Sequence, residues 1–404
     1  MSYAMISFHK ETDSRMIFRM RGRVDSNNAA EVEKELLESR KDHPGKCMTI
    51  DLDGLEYISS AGLRVFMRLR KAEQEIELAN VNQEIYNVLE MTGFLDIFTV
   101  HKAPRVIDVE GCKVVGRGGC GTVYRIDQDT IVKVYREGFK PEEIEQELQC
   151  AKAALLNGVP TAISYDVVHC KDGRMGIVYE MIRSDTLSHA YKTHPEQFEE
   201  LTQKYVAFVR ELHENSLPAG IFPNLKDVLH ERANVMAEYC TPEEAALLHS
   251  LVDEMRDATE PIHGDLHPGN IMIQDGELLL IDMPEICVGP GKYDLVGVYR
   301  DLVTWPGSPI PEMRQKAAVS VDMEVEDILK IGKRFFEIEA GSEDEAAVAA
   351  FHHQMKLLFS FNAVMSVAQN FDSLVPMRPA FVERHLRGVI EPNEAALREA
   401  LRSL

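Results

Sequence analysis

The chain has 404 residues, more than one ordinary domain holds, and its 45% hydrophobic and 27% charged side chains are the composition of a folded protein, not a disordered one. Its 44 Lys and Arg stand against 66 Asp and Glu, a net charge of −22. Nothing is left over to neutralise phosphates, so nucleic acid and anionic membrane surfaces are excluded as expected partners. The acid is uneven: residues 1–105 carry 15 basic and 17 acidic groups and the remainder 29 and 49, which predicts two modules of different electrostatic character. No run of 18 apolar residues is available to span a bilayer, and the first residues, MSYAMISFHKETD, lack the apolar core of a secretory signal. Seven cysteines, an odd number without C-x-x-C spacing, read as free thiols of a reducing, cytoplasmic setting.

In chain order, Met5 to Glu11 and Arg15 to Val24 alternate as strands around a polar turn at Thr12–Ser14. Asp25-Ser26-Asn27-Asn28 supplies cap residues for a helix from Ala29 to Arg40, with Val32, Leu36 and Leu37 on one face. Cys47 to Leu52 reads as a strand, and Ser59-Ser60-Ala61-Gly62 opens a helix with the stripe Leu63, Phe66, Met67 and Leu69. A strand from Ile76 to Val81 and a helix from Asn82 to Met91 complete a small β/α sandwich.

Leu55-Glu56-Tyr57-Ile58-Ser59-Ser60-Ala61-Gly62-Leu63-Arg64 resembles the phosphorylation loop of the STAS family, the anti-sigma factor antagonists, and Gly22-Arg23-Val24-Asp25 resembles that family's neighbouring loop. The resemblance implies a STAS-like regulatory domain over residues 1–105, a protein partner bound through it, and Ser60 as the phosphosite. A phosphate there would sit at a helix N-terminus, where free N–H groups and the helix dipole favour an anion. Many family members have Asp where this chain has Ser59, and both serines also make sense as a plain helix cap.

Beyond a short basic joint, His101-Lys102-Ala103-Pro104-Arg105, the pattern changes. Gly116-Arg117-Gly118-Gly119-Cys120-Gly121-Thr122-Val123 has the spacing G-x-G-x-x-G-x-V. A dinucleotide-binding turn would open a helix here, but Thr122 to Ile126 alternates as a strand, and Thr130 to Tyr135 is a second strand across the turn Asp127–Asp129. A glycine-rich hairpin followed by a strand lysine is a protein-kinase arrangement: Gly116, Gly118 and Gly121 admit phosphates close to the backbone, and Lys133 supplies a charge to them. Pro141 to Leu156 reads as a helix bearing Glu142, Glu143, Glu145 and Glu147. The stretch Glu147 to Pro160 resembles the corresponding helix-to-Gly-Val-Pro stretch of small-molecule kinases, which implies Glu147 as the carboxylate that orients Lys133, with Glu145 in reserve. The strand Met175 to Ile182 would be the hinge, its backbone between Glu180 and Ile182 hydrogen-bonding adenine.

His263-Gly264-Asp265-Leu266-His267-Pro268-Gly269-Asn270 is followed by Leu278-Leu279-Leu280-Ile281-Asp282. Two short strands around a glycine turn bring Asn270 and Asp282 together as oxygen ligands for Mg²⁺, and leave Asp265 to accept the acceptor hydroxyl's proton. His263 and His267 are expected to support the loop rather than react. The block resembles the aminoglycoside phosphotransferase/choline kinase family of the protein-kinase-like fold, as does Gly289-Pro290-Gly291-Lys292-Tyr293-Asp294-Leu295, where Asp294 is expected to hold the catalytic loop. The resemblance covers residues 109–305. Beyond it the helical periods Met313 to Glu339, Glu345 to Asn370 and Asn393 to Leu404 are expected to shape an acceptor pocket.

The fold class predicted is therefore α/β multidomain: a small STAS β/α sandwich, then a bilobal protein-kinase-like fold with a helical C-terminal part. The boundaries are 1–105, an N-lobe at 109–183 and a C-lobe at 184–404. The resemblance implies an enzyme using ATP and Mg²⁺ to phosphorylate a hydroxyl of a small acceptor. Only eleven residues separate Asp282 from Asp294, short for a peptide-docking platform, and the module's charge would suit a cationic acceptor, though it serves solubility equally well. Two other readings are open: a protein kinase acting on Ser60, and a nucleotide-sensing module without catalysis.

Overall fold

The computed structural model describes residues 5–11, 15–41, 47–72, 76–218, 220–342, 344–369 and 373–404. The expected turn at Thr12–Ser14 lies outside them, as does Asn370. The chain divides into two compact units at Asp108.

In the first unit, β1 (Met5–Glu11) pairs antiparallel with β2 (Arg15–Val24). Then come α1 (Ala29–Lys41), β3 (Cys47–Asp51), β4 (Leu55–Ile58), α2 (Ser60–Ala72), β5 (Ile76–Val81), α3 (Gln83–Met91) and β6 (Thr99–Lys102). The sheet order is β1-β2-β3-β5-β6, with β4 on β2, and all pairings after the first are parallel. Alternation along β2 buries Met16, Phe18 and Met20, and α1 and α2 cover them with Leu36, Phe66 and Leu69. Gly62 makes that docking possible: a Cβ there would lie 2.7 Å from Ile58 and 2.8 Å from Val24.

β7 (Arg105–Ile107) occupies part of the expected joint. The second unit begins with β8 (Lys113–Arg117), β9 (Gly121–Arg125), β10 (Thr130–Tyr135), α4 (Pro141–Leu156), β11 (Ser164–Cys170) and β12 (Met175–Glu180). Its antiparallel order β11-β12-β10-β9-β8 places β10 in the middle. Tyr135, Ile144 and Ile177 bind α4 to this sheet.

The helical part follows: α5 (Leu187–Thr193), α6 (Phe198–Glu214), α7 (Leu225–Met236) and α8 (Pro242–Asp253). β13 (Glu260–Ile262) pairs with β16 (Cys287–Gly289), and between them β14 (Ile271–Gln274) and β15 (Glu277–Leu280) form a hairpin. α9 (Asp294–Tyr299) continues directly into a π-helical turn, Arg300–Thr304. The single long helix expected over Met313 to Glu339 is two, α10 (Pro311–Val321) and α11 (Val325–Glu339). The break is at Asp322, which takes a left-handed backbone (φ 54°) and ends α10, while Glu324 begins α11. α12 (Glu345–Ser366), α13 (Arg378–Phe381, extended as π-helix over Val382–Ile390) and α14 (Glu394–Arg402) complete the unit. Their apolar faces share one core, in which Tyr205, Phe335, Phe336, Phe361 and Leu386 are fully buried.

Candidate active site

The β8–β9 hairpin carries the glycines. Gly118 N–H donates to Gly121 C=O at 3.0 Å, and Arg136 closes the tip by donating to Gly118 C=O at 2.8 Å. Packing demands glycine only at Gly121, where a Cβ would fall 2.1 Å from the Val134 carbonyl oxygen. At Gly118 a Cβ would meet nothing within 4 Å, and at Gly116 only ordinary contact with Val123. Packing therefore does not demand bare backbone at these two positions.

Lys133 lies in central β10, almost buried. Its Nζ donates to Glu147 at 2.9 Å and to Asp282 at 2.6 Å. Burial works against the ammonium, but the two carboxylates more than offset it and raise its pKa above the usual lysine value. Among the α4 acids, Glu147 reaches Lys133, while Glu142, Glu143 and Glu145 are exposed and Glu143 closes a capping box on Lys140. Tyr179 adds a 3.4 Å contact to Glu147.

The loop after β13 is held from below. Asp294, 2% exposed, accepts the backbone N–H of His263 and of Gly264, each at 2.8 Å, and contacts His213 Nε2 at 3.2 Å. Gly264 needs the left-handed backbone it adopts (φ 85°). His263 bridges from the Asp265 N–H (3.3 Å) to the Ile281 carbonyl (3.2 Å), fixing the loop to the strand that ends in Asp282. His267 Nδ1 accepts the Gly269 N–H at 3.1 Å, and its Nε2 lies 3.3 Å from Ser320 Oγ on α10.

Asp265 faces three partners. Asn270 Nδ2 donates to its carbonyl (2.9 Å) and to Oδ2 (3.2 Å), His267 Nε2 lies 3.6 Å from Oδ2, and Arg300 Nη2 donates to Oδ1 at 2.6 Å. Burial works against this carboxylate, and His267 and Arg300 outweigh it, holding the pKa well below the carboxylate range. Arg300 also grips buried Asp301, through Nε at 2.9 Å and Nη2 at 2.7 Å.

The β14–β15 hairpin pairs Ile271 with Leu280, and the Ile281 N–H donates to Asn270 C=O at 3.0 Å. Asn270 and Asp282 thus flank the same open hairpin end. Asp282 adopts a left-handed backbone (φ 60°), and its side chain is 42% exposed. With Asn270 Nδ2 donating to Asp265, its carboxamide oxygen has no hydrogen bond among the described residues. Two hard oxygens suit Mg²⁺, which is usually bound by one or two protein groups plus phosphate and water. Among the described residues no cluster of three or more His, Cys, Asp or Glu could cage a metal by itself.

At the hinge, the Glu180 N–H donates to Ile163 C=O, and the Glu180 carboxylate accepts the Ile163 N–H at 2.7 Å. The Met181 N–H is taken by Asp129 C=O, also at 2.7 Å. Among the described residues the Ile182 N–H has no protein acceptor.

Residues 112–327 match the phosphotransferase enzyme family, over half the chain. The chain belongs to that family. Ahead of it, residues 7–106 match the STAS domain. The Bordetella bronchiseptica anti-sigma factor antagonist BtrV is 38% identical over 92 residues, 22% of this chain and 78% of that protein. An anti-sigma-B factor antagonist of Listeria monocytogenes is 33% identical over 95 residues, 22% of this chain and 82% of its own. Among solved structures, ADP-bound aminoglycoside phosphotransferase APH(2'')-Ib superposes with a TM-score of 0.46 at 14% identity, covering 79% of this chain and 99% of its own. A choline/ethanolamine kinase family protein from Mesorhizobium loti gives 0.41 at 15%, covering 72% and 92%.

In the STAS domain of this phosphotransferase, Ser59 and Ser60 have different jobs. Ser59 Oγ accepts the N–H groups of Ala61 (3.2 Å) and Gly62 (3.4 Å), so it is the helix cap. Ser60 is the first residue of α2 and is exposed. Arg23 stacks on exposed Tyr57 at 4.2 Å in the same loop cluster. In the phosphotransferase unit, sequence reasoning missed Arg300. Its only signal was a basic residue inside the apolar run Leu295 to Trp305, and adjacent residues on an α-helix do not face one another. No helix of the described residues is long and apolar enough to cross a membrane.

Proposed function

We propose that the protein transfers the γ-phosphoryl group of ATP to a hydroxyl of a small molecule, with Mg²⁺ as cofactor, and that the STAS domain regulates or recruits this activity through a protein partner. The observation carrying the reading is the convergence of Lys133, Glu147 and Asp282 from three separate elements, opposite a loop that presents Asp265 and Asn270. Gly116, Gly118 and Gly121 cover the phosphates. Lys133, aligned by Glu147, compensates their charge. The backbone of Glu180 to Ile182 receives the adenine. Asn270 and Asp282 would hold Mg²⁺, which supplies neutralisation of the phosphate oxygens. Asp265 orients the acceptor hydroxyl and takes its proton as the new O–P bond forms, while the bond to the β-phosphate breaks and ADP leaves. Catalysis here is positioning plus charge compensation.

Calorimetry with Mg²⁺–ATP and a turnover assay across hydroxyl acceptors test this. Asp265→Ala is expected to keep nucleotide binding and lose transfer by about 10²–10⁴-fold. Equal turnover in variant and wild type would remove Asp265 from the chemistry, and no heat of nucleotide binding would remove the whole assignment. The exposed Ser60 supports a second reading in which it is a phosphate acceptor. Radiolabel from ATP entering wild type but not Ser60→Ala would establish that, and its absence from both would dismiss it.

A further inference from the structure

The chain's strong negative charge invites a cationic acceptor, but the groups beside Asp265 are arranged otherwise. Arg300 Nη2 is bonded to Asp265, and its Nε and Nη2 to Asp301. One guanidinium is thereby shared between two carboxylates, and His267 Nε2 adds to Asp265 at 3.6 Å. The Arg300 guanidinium carbon also lies 4.8 Å from the centroid of the Trp305 ring. A second cation shares that ring: Lys316 Nζ is 4.3 Å from the same centroid. Lys316 forms no salt bridge among the described residues.

Lys316 is also on the correct side of its helix. Ser320, one turn further along α10, has its hydroxyl 3.3 Å from His267 Nε2 in the catalytic loop. The Lys316 side chain is partly open to solvent, so solvent-borne molecules reach it. Burial of its ammonium and the neighbouring Arg300 charge outweigh the attraction of Asp301 and Asp265 and hold its pKa below the ordinary lysine value. A cation beside another cation, stacked on an aromatic face and salt-bridged to no carboxylate among the described residues, gains from an incoming anion.

We infer that the acceptor carries an anionic group, a carboxylate or a phosphate, which Lys316 and Arg300 Nη1, a group with no partner among the described residues, bind beside Trp305, with the acceptor hydroxyl then next to Asp265. This rests on the phosphotransferase reading above and adds the acceptor's class to it. Arg300 thereby serves twice: it compensates Asp265, so that an anion can approach, and it contributes to the site that receives that anion.

Trp305 is the sole tryptophan of the chain, so its fluorescence reports on this site alone. The full-length protein with Mg²⁺–ADP is titrated with matched probes: glycerate, glycerol 3-phosphate, glycerol and choline. A saturable change is expected with an anionic probe, and whether glycerate or glycerol 3-phosphate produces it identifies carboxylate or phosphate. Neither glycerol nor choline should give one. Lys316→Ala should weaken the response about tenfold and Lys316→Glu further. The inference is overturned if choline or glycerol saturates the signal and the anions do not. It is overturned equally if the anionic response survives Lys316→Glu, or if neither anion gives one. Calorimetric binding of Mg²⁺–ATP by the same preparation separates the two levels: nucleotide heat without an anion response sinks this inference alone, and no nucleotide heat sinks the phosphotransferase reading beneath it.

Discussion

Replacing Lys133 by Met removes the cation between two carboxylates of unequal burial. The Glu147 side chain is 8% exposed and the Asp282 side chain 42%. Asp282 loses a partner it can replace with water, which costs about 0–1 kcal/mol. Glu147 is left buried beside Tyr179 without a counter-charge, which costs about 3–5 kcal/mol. At about 2 °C per kcal/mol for a unit of this size, Lys133→Met should lower the Tm of the larger unit by about 6–10 °C. Adding Glu147→Leu removes the orphaned charge, and most of that loss should return, because an apolar pair is a neutral or better replacement for a buried ion pair. Activity should behave differently. Mg²⁺–ATP hydrolysis in single and double variants should fall about 10²-fold or more, since the charge facing the phosphates is missing from both. Differential scanning calorimetry and a coupled ADP assay read the two quantities. A single variant melting within 2 °C of wild type, a double variant no more stable than the single, or hydrolysis at the wild-type rate would refute the double role of Lys133 as buried counter-charge and phosphate ligand.

Other expectations follow from the same geometry. Gly118→Ala should leave Tm unchanged and raise the KM for ATP, whereas Gly121→Ala, with its 2.1 Å clash on the Val134 carbonyl, should destabilise the β9–β10 pairing; thermal melts with ATP titrations distinguish them. Ser59→Ala should cost the STAS domain about 1 kcal/mol through its lost cap, while Ser60→Ala should stay within about 0.5 kcal/mol, read by urea denaturation. Because the Asp265 pKa is depressed, the carboxylate that the proposed proton acceptance needs is present above the ordinary value of about 3.9 and is lost only as pH falls through its lower folded value. The pH profile of kcat/KM should therefore show no Asp265 limb between pH 5 and 8, and a limb there that vanishes in Asp265→Asn would contradict this.

Much of the site was legible because its residues are close in sequence and each needs one specific side chain. Asp265, Asn270 and Asp282 fall on one loop and one hairpin, so short-range spacing already placed them together. Glu147 was separable from its neighbours only through resemblance, because Glu142, Glu143 and Glu145 offer the same chemistry; the turn of α4 toward β10 distinguishes them. Less was legible where the chain departs from regular periods. Asp322 breaks a helix without a Gly or Pro to announce it. The helices from Leu187 to Asp253 carry no motif, and their periodicity serves only the shared core. Net charge says little about the site's neighbourhood, since it sums surface groups far from Asp265 and does not tell which acids Arg300 has paired.

The π-helical turn after α9 sets the spacing of the Trp305 stack. On an α-helix, residues five apart point about 140° away from one another at 3.6 residues per turn. Here the Trp305 N–H reaches back to Arg300 C=O at 2.9 Å, a wider ring that closes most of that angle and lets guanidinium and indole overlap. The register of one extra residue thus decides whether the indole stands against the arginine that holds Asp265. Shortening 300–304 by a single residue would rewind the segment to ordinary α-helix and carry the ring off the arginine, with every side chain of the turn still of the same chemical kind.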